Sequence, residues 1–490
     1  MSSGSGWGAG APDCEIVRRA SNPGYRPISV NLVISTAAHR AAGADLRARY
    51  ARLPEGRRVR LAKPTSNLFR FPPSGERSAR LDAGALNQVI EIDPAARTAW
   101  VQGMTTYEDL VDATLVHGLM PKVVPQLKTI TIGGALAGLG IESSSFANGL
   151  AHESVREVEA LTGDGRLLTA TADNEHAELF RGLPNSYGTL GYAVSLKIDL
   201  QPVGRFVALR HLPFPDAASC ADAIGSICRD GRYDGSAVDF LDGTVFHAGE
   251  QYLTVARFTD EAPDGRGPSD YTGQQIYYRS IRRRARDLLT TRDYIWRWDT
   301  DWFWCSRALG AQHPAIRPFW PGRYRRSDVY RRLVALDRRY ELSGRIQAWR
   351  GLPAEEPVIQ DIEVPLERLA EFLDAFHAEI GITPVWLCPV RLDAPSGWPL
   401  YPMEPDRLYV NVGFWSAVAL EPGQPMGTHN RRIEQLVADL DGHKSLYSNS
   451  YYSTEEFWRR YNGPAYRELK KRYDPGDRLP DLYDKCVRER

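Results

Sequence analysis

The chain has 490 residues, 43% of them apolar, enough for two or three domains and a sizeable core. Lys+Arg and Asp+Glu both total 61, so the overall basicity of a nucleic-acid binder is excluded and no nucleic-acid partner is expected. Six scattered cysteines (Cys14, Cys220, Cys228, Cys305, Cys388, Cys486) lack the spacing of a zinc site or a disulfide framework, so no metal is expected and reduced thiols fit a cytoplasmic protein.

The N-terminal "MSSGSGWGAGAPD" reads as a flexible Gly/Ser tail, residues 1–27, without the hydrophobic region of a signal peptide. No run of about 18 apolar residues follows it, which predicts a soluble or membrane-peripheral protein. Residues 32–54 read as a helix and 57–63 as a short strand entering the turn "PTSN". "QVIEIDPAARTAWVQG" (88–103) is two alternating runs joined by Asp-Pro, a hairpin. Thr105 and Glu108 have capping-box spacing ahead of a helix that Gly118 would stop. Residues 155–170 predict a second hairpin about a Gly-Asp-Gly turn, and 192–202 a further strand. These elements give an α+β mixture over the first 200 residues or so, not a regular βαβ series.

Beyond residue 203 the chain changes character. "YYRSIRRRARDLL" (277–289) and "GRYRRSDVYRRL" (322–333) concentrate arginine, either as a solvated helix face or toward an anionic partner. "YIWRWDTDWFWCSRALGAQHP" (294–314) holds four tryptophans in nine residues, and the runs "VIQDIEVP" and "LYVNVGFW" are β-like. A second, aromatic-lined domain is expected over 203–440, with a separate segment over 441–490.

The chemistry concentrates in "PQLKTITIGGALAGLGIESSSFANG" (125–149), which has five glycines, hydroxyls and one carboxylate yet is too apolar for a linker. Bare backbone lets N–H groups approach an anion, and Ser or Thr hydroxyls can donate to phosphate oxygens. With "KPTSN" (63–67) and "PNSYGTLG" (184–191) there are three such elements, which favours a pyrophosphate-bearing cofactor over a tight packing turn. The G-x-G-x-x-G fingerprint after a first strand is missing, since Gly138 and Gly140 give only G-x-G, so a Rossmann domain is not expected.

"KPTSNLFR", "TIGGALAGLGIESSSFANGL" and "NSYGTLGYAV" resemble the FAD-binding domain of vanillyl-alcohol-oxidase-like, PCMH-type flavoproteins. "GIESSS", "PVWLCPVRL" (384–392) and "LYSNSYYSTEEFW" (446–458) are similar to the sterol Δ24-reductase branch. "LAKPTSNLFR", the tryptophan segment and "DGHKSLYS" look like its bacterial members, which reduce 10-methylene fatty acyl phospholipids to 10-methyl ones. The resemblance implies a two-subdomain PCMH-type FAD-binding domain over 28–202, a substrate (cap) domain over 203–440, and a segment over 441–490 that closes the flavin site. Carried over by position, Thr65, Ser66 and Asn67 would form the first pyrophosphate loop. Thr129, Gly133, Gly134, Gly140, Ser144 and Gly149 would form the second FAD-contacting segment, with Gly188 and Gly191 near the ribityl chain. Relatives that hold flavin covalently use His or Cys in the first two of these loops. Neither occurs in 63–70 or 125–149, so non-covalent FAD is expected, with NADPH as electron donor and a methyltransferase as functional partner.

An isolated alkene has no carbonyl to accept charge, so protonation must lead or accompany hydride attack. Protonating the exocyclic CH2 of a 10-methylene chain leaves a tertiary cation, which hydride from reduced flavin would quench; the sterol Δ24 bond offers the same option. Glu142, inside the glycine segment, is the first candidate acid, its other role being that of a backbone-bonded turn residue. Asp301, His443 and Tyr447 follow, and His313 reads as structural. The Trp296–Trp304 cluster could face the cation, at about 0.5–2 kcal/mol for each ring, or form core or a membrane-contacting surface. The arginine-rich stretches could meet an anionic membrane at the inner face or hold the 2′-phosphate of NADPH. An alcohol oxidase using oxygen, or a flavin-free lipid-binding protein, are the alternatives.

Overall fold

The computed structural model describes residues 33–63, 69–70, 78–262, 267–340, 344–345, 349–394 and 397–487, all within one compact unit, Leu32–Arg490. The tail 1–27 and the first loop, Thr65 to Asn67, lie outside them. Helix α1 (Thr36–Ala51) begins where Ser35 accepts from the Ala38 N–H, and it buries Leu46 and Tyr50.

Two short strands, β1 (Val59–Ala62) and β2 (Ala79–Asp82), pair in parallel. The alternating runs of the next segment build a six-stranded sheet: β3 (Val89–Asp93), β4 (Thr98–Gln102), β5 (Leu119–Pro121), β6 (Val155–Leu161), β7 (Leu167–Thr171) and β8 (Tyr192–Pro202). Its order is β3-β4-β8-β6-β7, with β5 also paired to β8, and all pairings are antiparallel. Both expected hairpins are present. The expected cap is displaced by one residue. Helix α2 (Tyr107–Leu115) is capped by Thr106, whose Oγ1 accepts from the Asp109 N–H and donates to its carboxylate. Thr105 Oγ1 instead donates to the Gln88 carbonyl, and Glu108 pairs with Arg326.

The second sheet has eight antiparallel strands. They are β9 (Phe206–Phe214), β12 (Phe240–His247), β13 (Glu250–Thr259), β14 (Arg286–Thr290), β15 (Glu355–Pro365), β16 (Val385–Val390), β17 (Tyr409–Ala419) and β18 (His443–Lys444). The order is β14-β9-β13-β12-β16-β17-β15-β18, and a small hairpin, β10 (Arg232–Tyr233) and β11 (Ser236–Ala237), stands apart. The arginine run 277–289 is no single helix face: it splits into the helix Tyr277–Ile281 and strand β14. One face of the sheet buries Val358, Ile362 and Val364 of β15 with Phe372 and Phe376 of the helix Leu369–Glu379. The segment after residue 440 serves both sheets. Strand β18 adds an edge to β15, and the helix Gly463–Tyr473 packs Tyr466, Leu469 and Tyr473 into the core of the first sheet. The fold is thus α+β.

Candidate active site

Between the glycine segment and the far face of the eight-stranded sheet lies a cavity of about 460 Å³. Helix α3 (Ile132–Ala137), capped by Thr131, forms one wall. It packs backbone to backbone: a Cβ on Gly133 would sit 2.7 Å from the Gly103 carbonyl oxygen, so glycine is required there for close approach. The other side of the same segment faces the cavity.

One end of the cavity is cationic. Arg60, Lys63, Arg80 and Lys485 all border it. Lys63 and Lys485 have no carboxylate partner among the described residues. Burial pushes the Lys485 ammonium down to about 7, with Arg70 and then Arg60 and Lys63 adding repulsion; burial also lowers Lys63. Lys485 donates to the Tyr187 carbonyl, and the Arg70 guanidinium lies 4.3 Å from the Tyr187 ring centre. The two lysines without a carboxylate partner, in a bare-backbone cradle, suit a diphosphate. Thr129 Oγ1, also in the cavity lining, is buried without a hydrogen-bond partner among the described residues.

The other end is aromatic and acidic. Trp302, Phe303, Trp386 and Trp415 line it, with Phe303 stacked 4.3 Å from Trp415. Trp302 and Phe303 are consecutive left-handed residues (φ 47° and 57°), a strained backbone of the kind that gathers at functional sites. Asp361 of β15 and Asn411 of β17 border the same space. Burial pushes the Asp361 carboxyl up to about 7, against the partial opposition of Asn411 and Tyr447. Its Oδ1 is shut from solvent and reaches no hydrogen-bond partner among the described residues, and neither amide atom of Asn411 does. Gly413 faces Asp361 across the ladder, and a Cβ there would meet Oδ1 at 2.5 Å and the Trp415 ring at 2.7 Å. Behind Asp361, Glu363 accepts from the Tyr401 hydroxyl, its own carboxyl raised by burial and then by Asp361.

The residues singled out by sequence distribute unevenly. Thr129, Gly133, Gly134, Gly140, Gly188, Gly191 and Tyr447 line the cavity. Ser144 and Gly149 do not: Ser144 Oγ donates to the Lys122 carbonyl, and Gly149 packs on the Glu153 carboxylate. Glu142 also lies off the cavity lining, in a buried cluster where Arg297 donates to it at 2.9 Å and to Asp242 at 2.8 Å. Burial raises its pKa and Arg297 opposes the rise. Asp301 is held by Arg317 through two bonds of 2.7 and 3.0 Å, a structural pair. His443 sits between the rings of Tyr401 and Tyr409, its pKa pushed down to about 4 by burial. Of the four tryptophans, Trp296, Trp298 and Trp304 are core, and Trp302 alone reaches the cavity.

Sequence reading missed Asp361, Asn411 and Lys485, and it took "KPTSN" for its turn and hydroxyls without singling out Lys63. The signal for Asp361 was in "VIQDIEVP": Val358, Ile362 and Val364 mark one face, which leaves Asp361 and Glu363 together on the other.

The FAD binding domain family matches residues 56–171, which include Arg60, Lys63 and Arg80 of the cationic end and the glycine segment. The chain is an FAD-dependent oxidoreductase. It is similar to Delta(24)-sterol reductases of Rattus norvegicus (26% identical over 426 residues, 82% of this chain and 77% of the relative) and Arabidopsis thaliana (28% over 442 residues, 84% and 77%). It is also similar to cytokinin dehydrogenase 7 of Oryza sativa subsp. japonica, 31% identical over 117 residues, 24% of this chain and 22% of the relative.

Proposed function

We propose that the enzyme reduces an unactivated carbon–carbon double bond in a lipid, with the 10-methylene group of a fatty acyl phospholipid as substrate and NADPH as donor. The observation that carries the reading is Asp361, a carboxyl that borders an aromatic pocket with Oδ1 buried and unbonded among the described residues, its pKa pushed up to about 7 by burial. An alkene reductase needs an acid of this kind, and an alcohol oxidase needs a base. FAD, when bound and reduced, supplies hydride. Lys63 and Lys485, with Arg60 and Arg80, would hold its diphosphate, and Thr129 its polar edge. The Asp361 carboxyl would deliver the proton from its Oδ atoms, while Tyr447, whose hydroxyl accepts from Trp415 Nε1 at 2.9 Å, fixes the aromatic wall. Trp302, Phe303 and Trp415 would exclude water and present ring faces to the developing cation. Similarity to sterol reductases over 82% of the chain supports reduction of an isolated alkene and keeps a sterol Δ24 bond as the second reading.

The test is lipid analysis of cells that express the chain with a methyltransferase making the 10-methylene acyl group. Conversion to the 10-methyl lipid is expected. Persistence of the methylene lipid beside an FAD-replete protein would refute the assignment, and turnover of a Δ24 sterol alone would select the second reading.

A further inference from the structure

Ten large apolar side chains are exposed among the described residues, and seven of them fall between residues 316 and 352. Phe319 and Trp349 are each 84% exposed, and Ile316, Tyr324, Leu336, Tyr340 and Leu352 between 43% and 52%. The same stretch contains ten arginines against three acidic residues, in a chain whose net charge is zero. The helix Ser327–Tyr340 organises part of it. Its outward stripe, Arg332, Ala335, Leu336, Arg339 and Tyr340, recurs at helical spacing and mixes apolar with cationic side chains. Its inner face does something else: Tyr330 is fully buried with Phe69 and Trp302, and Val334 packs against the same cluster, as does Tyr447. Phe69, Trp302 and Tyr447 line the cavity, so a single helix separates the exposed patch from the site.

We propose that this face, carried by the described residues from Ile316 to Tyr340 together with Trp349 and Leu352, docks on the surface of an anionic phospholipid bilayer and brings the lipid substrate to the cavity. An apolar patch of this density on a soluble chain marks a contact, and its chemistry chooses the partner. Aromatic rings carrying polar tips suit the headgroup level, and arginine stems cross it with the charge outward. Arg323, Arg339, Arg345 and Arg350 are exposed with no carboxylate partner among the described residues, free to meet lipid phosphates. No helix of the described residues is long and apolar enough to cross a membrane, so the contact lies on the surface. That the docked lipid is also the substrate rests on the proposed function; the docking itself does not.

Flotation of the FAD-loaded chain with phosphatidylglycerol-containing vesicles and with pure phosphatidylcholine vesicles tests this. Binding to the anionic vesicles at low salt, weakened by added salt, is expected. Phe319→Ser with Trp349→Ser should lower that binding by about tenfold or more, and Arg339→Gln, Arg345→Gln and Arg350→Gln together should remove the preference for anionic lipid. Both variants should keep the flavin absorbance and melting temperature of the parent and reduce detergent-dispersed substrate at the parent rate. A parent chain that stays unbound, variants that float as well as the parent, or a dimer dissolved by the Phe319 and Trp349 changes would overturn the proposal. Flotation without turnover of any lipid alkene would refute the reading of the cavity while supporting the docking face.

Discussion

Asp361 and Lys485 carry opposite shifts for one reason, since each charge has been taken out of water without a partner that balances it. Asp361, raised from the usual carboxylate range to about 7, is the proton-carrying form below that pH. The rate of alkene reduction should therefore fall as pH rises through about 7, and Asp361→Asn should lower it by about 10²–10⁴ and remove the descending limb. The sign for stability follows: between about 4 and 7 the folded chain binds a proton that the unfolded chain has lost, so this group's contribution declines with rising pH. Lys485 is depressed, so above about 7 the apoprotein holds it neutral while the unfolded chain keeps it charged. A diphosphate would restore the charge. FAD binding at pH 8 should take up a proton, seen by calorimetry in buffers of different ionisation enthalpy, and Lys485→Gln should weaken FAD about 10- to 100-fold and abolish the uptake.

At the scale of the element, strand β15 shows what a sequence conceals. Its alternation was legible, and so was its strand character. Alternation alone assigns the polar face to solvent, whereas here that face meets a cavity closed by residues over 200 positions away in sequence, such as Leu61 and Lys63. Only the partner strand marks the difference, for Gly413 leaves room over which Asp361 and Trp415 fold. Gly413→Ala should cost about 1–3 kcal/mol in chemical denaturation and loosen flavin retention with it. The glycine segment was legible because bare backbone is visible in composition. Glu142 was misleading for the same reason, being the one carboxylate there. Its partner Arg297 comes from 155 residues downstream and ties it to Asp242. Arg297→Met should destabilise the fold by about 3–5 kcal/mol, leaving two carboxylates buried without a cation, and melting should register this before any effect on substrate binding.

Across the whole molecule, the first sheet followed in part, through the hairpins β3–β4 and β6–β7, whose contacts are near in sequence, although β8 reaches β4 and β5 from far along the chain. The second did not: β12 pairs with β16 and β15 with β17 and β18, connections set by tertiary packing that no local pattern encodes. Because the cavity draws on both sheets and on the closing segment, its ligand should stabilise all three at once. FAD at 100 times its Kd should add about 2.7 kcal/mol and move a single cooperative transition upward, which differential scanning calorimetry with and without FAD would detect.

The placement of Tyr447 and Lys485 in the cavity wall bears on how the enzyme matures. Both side chains are made long after the segment that matches an FAD binding domain, 56–171, so that segment alone lacks part of the cavity wall. If Lys485 holds the diphosphate as proposed, tight FAD binding waits until the chain has been made through that residue.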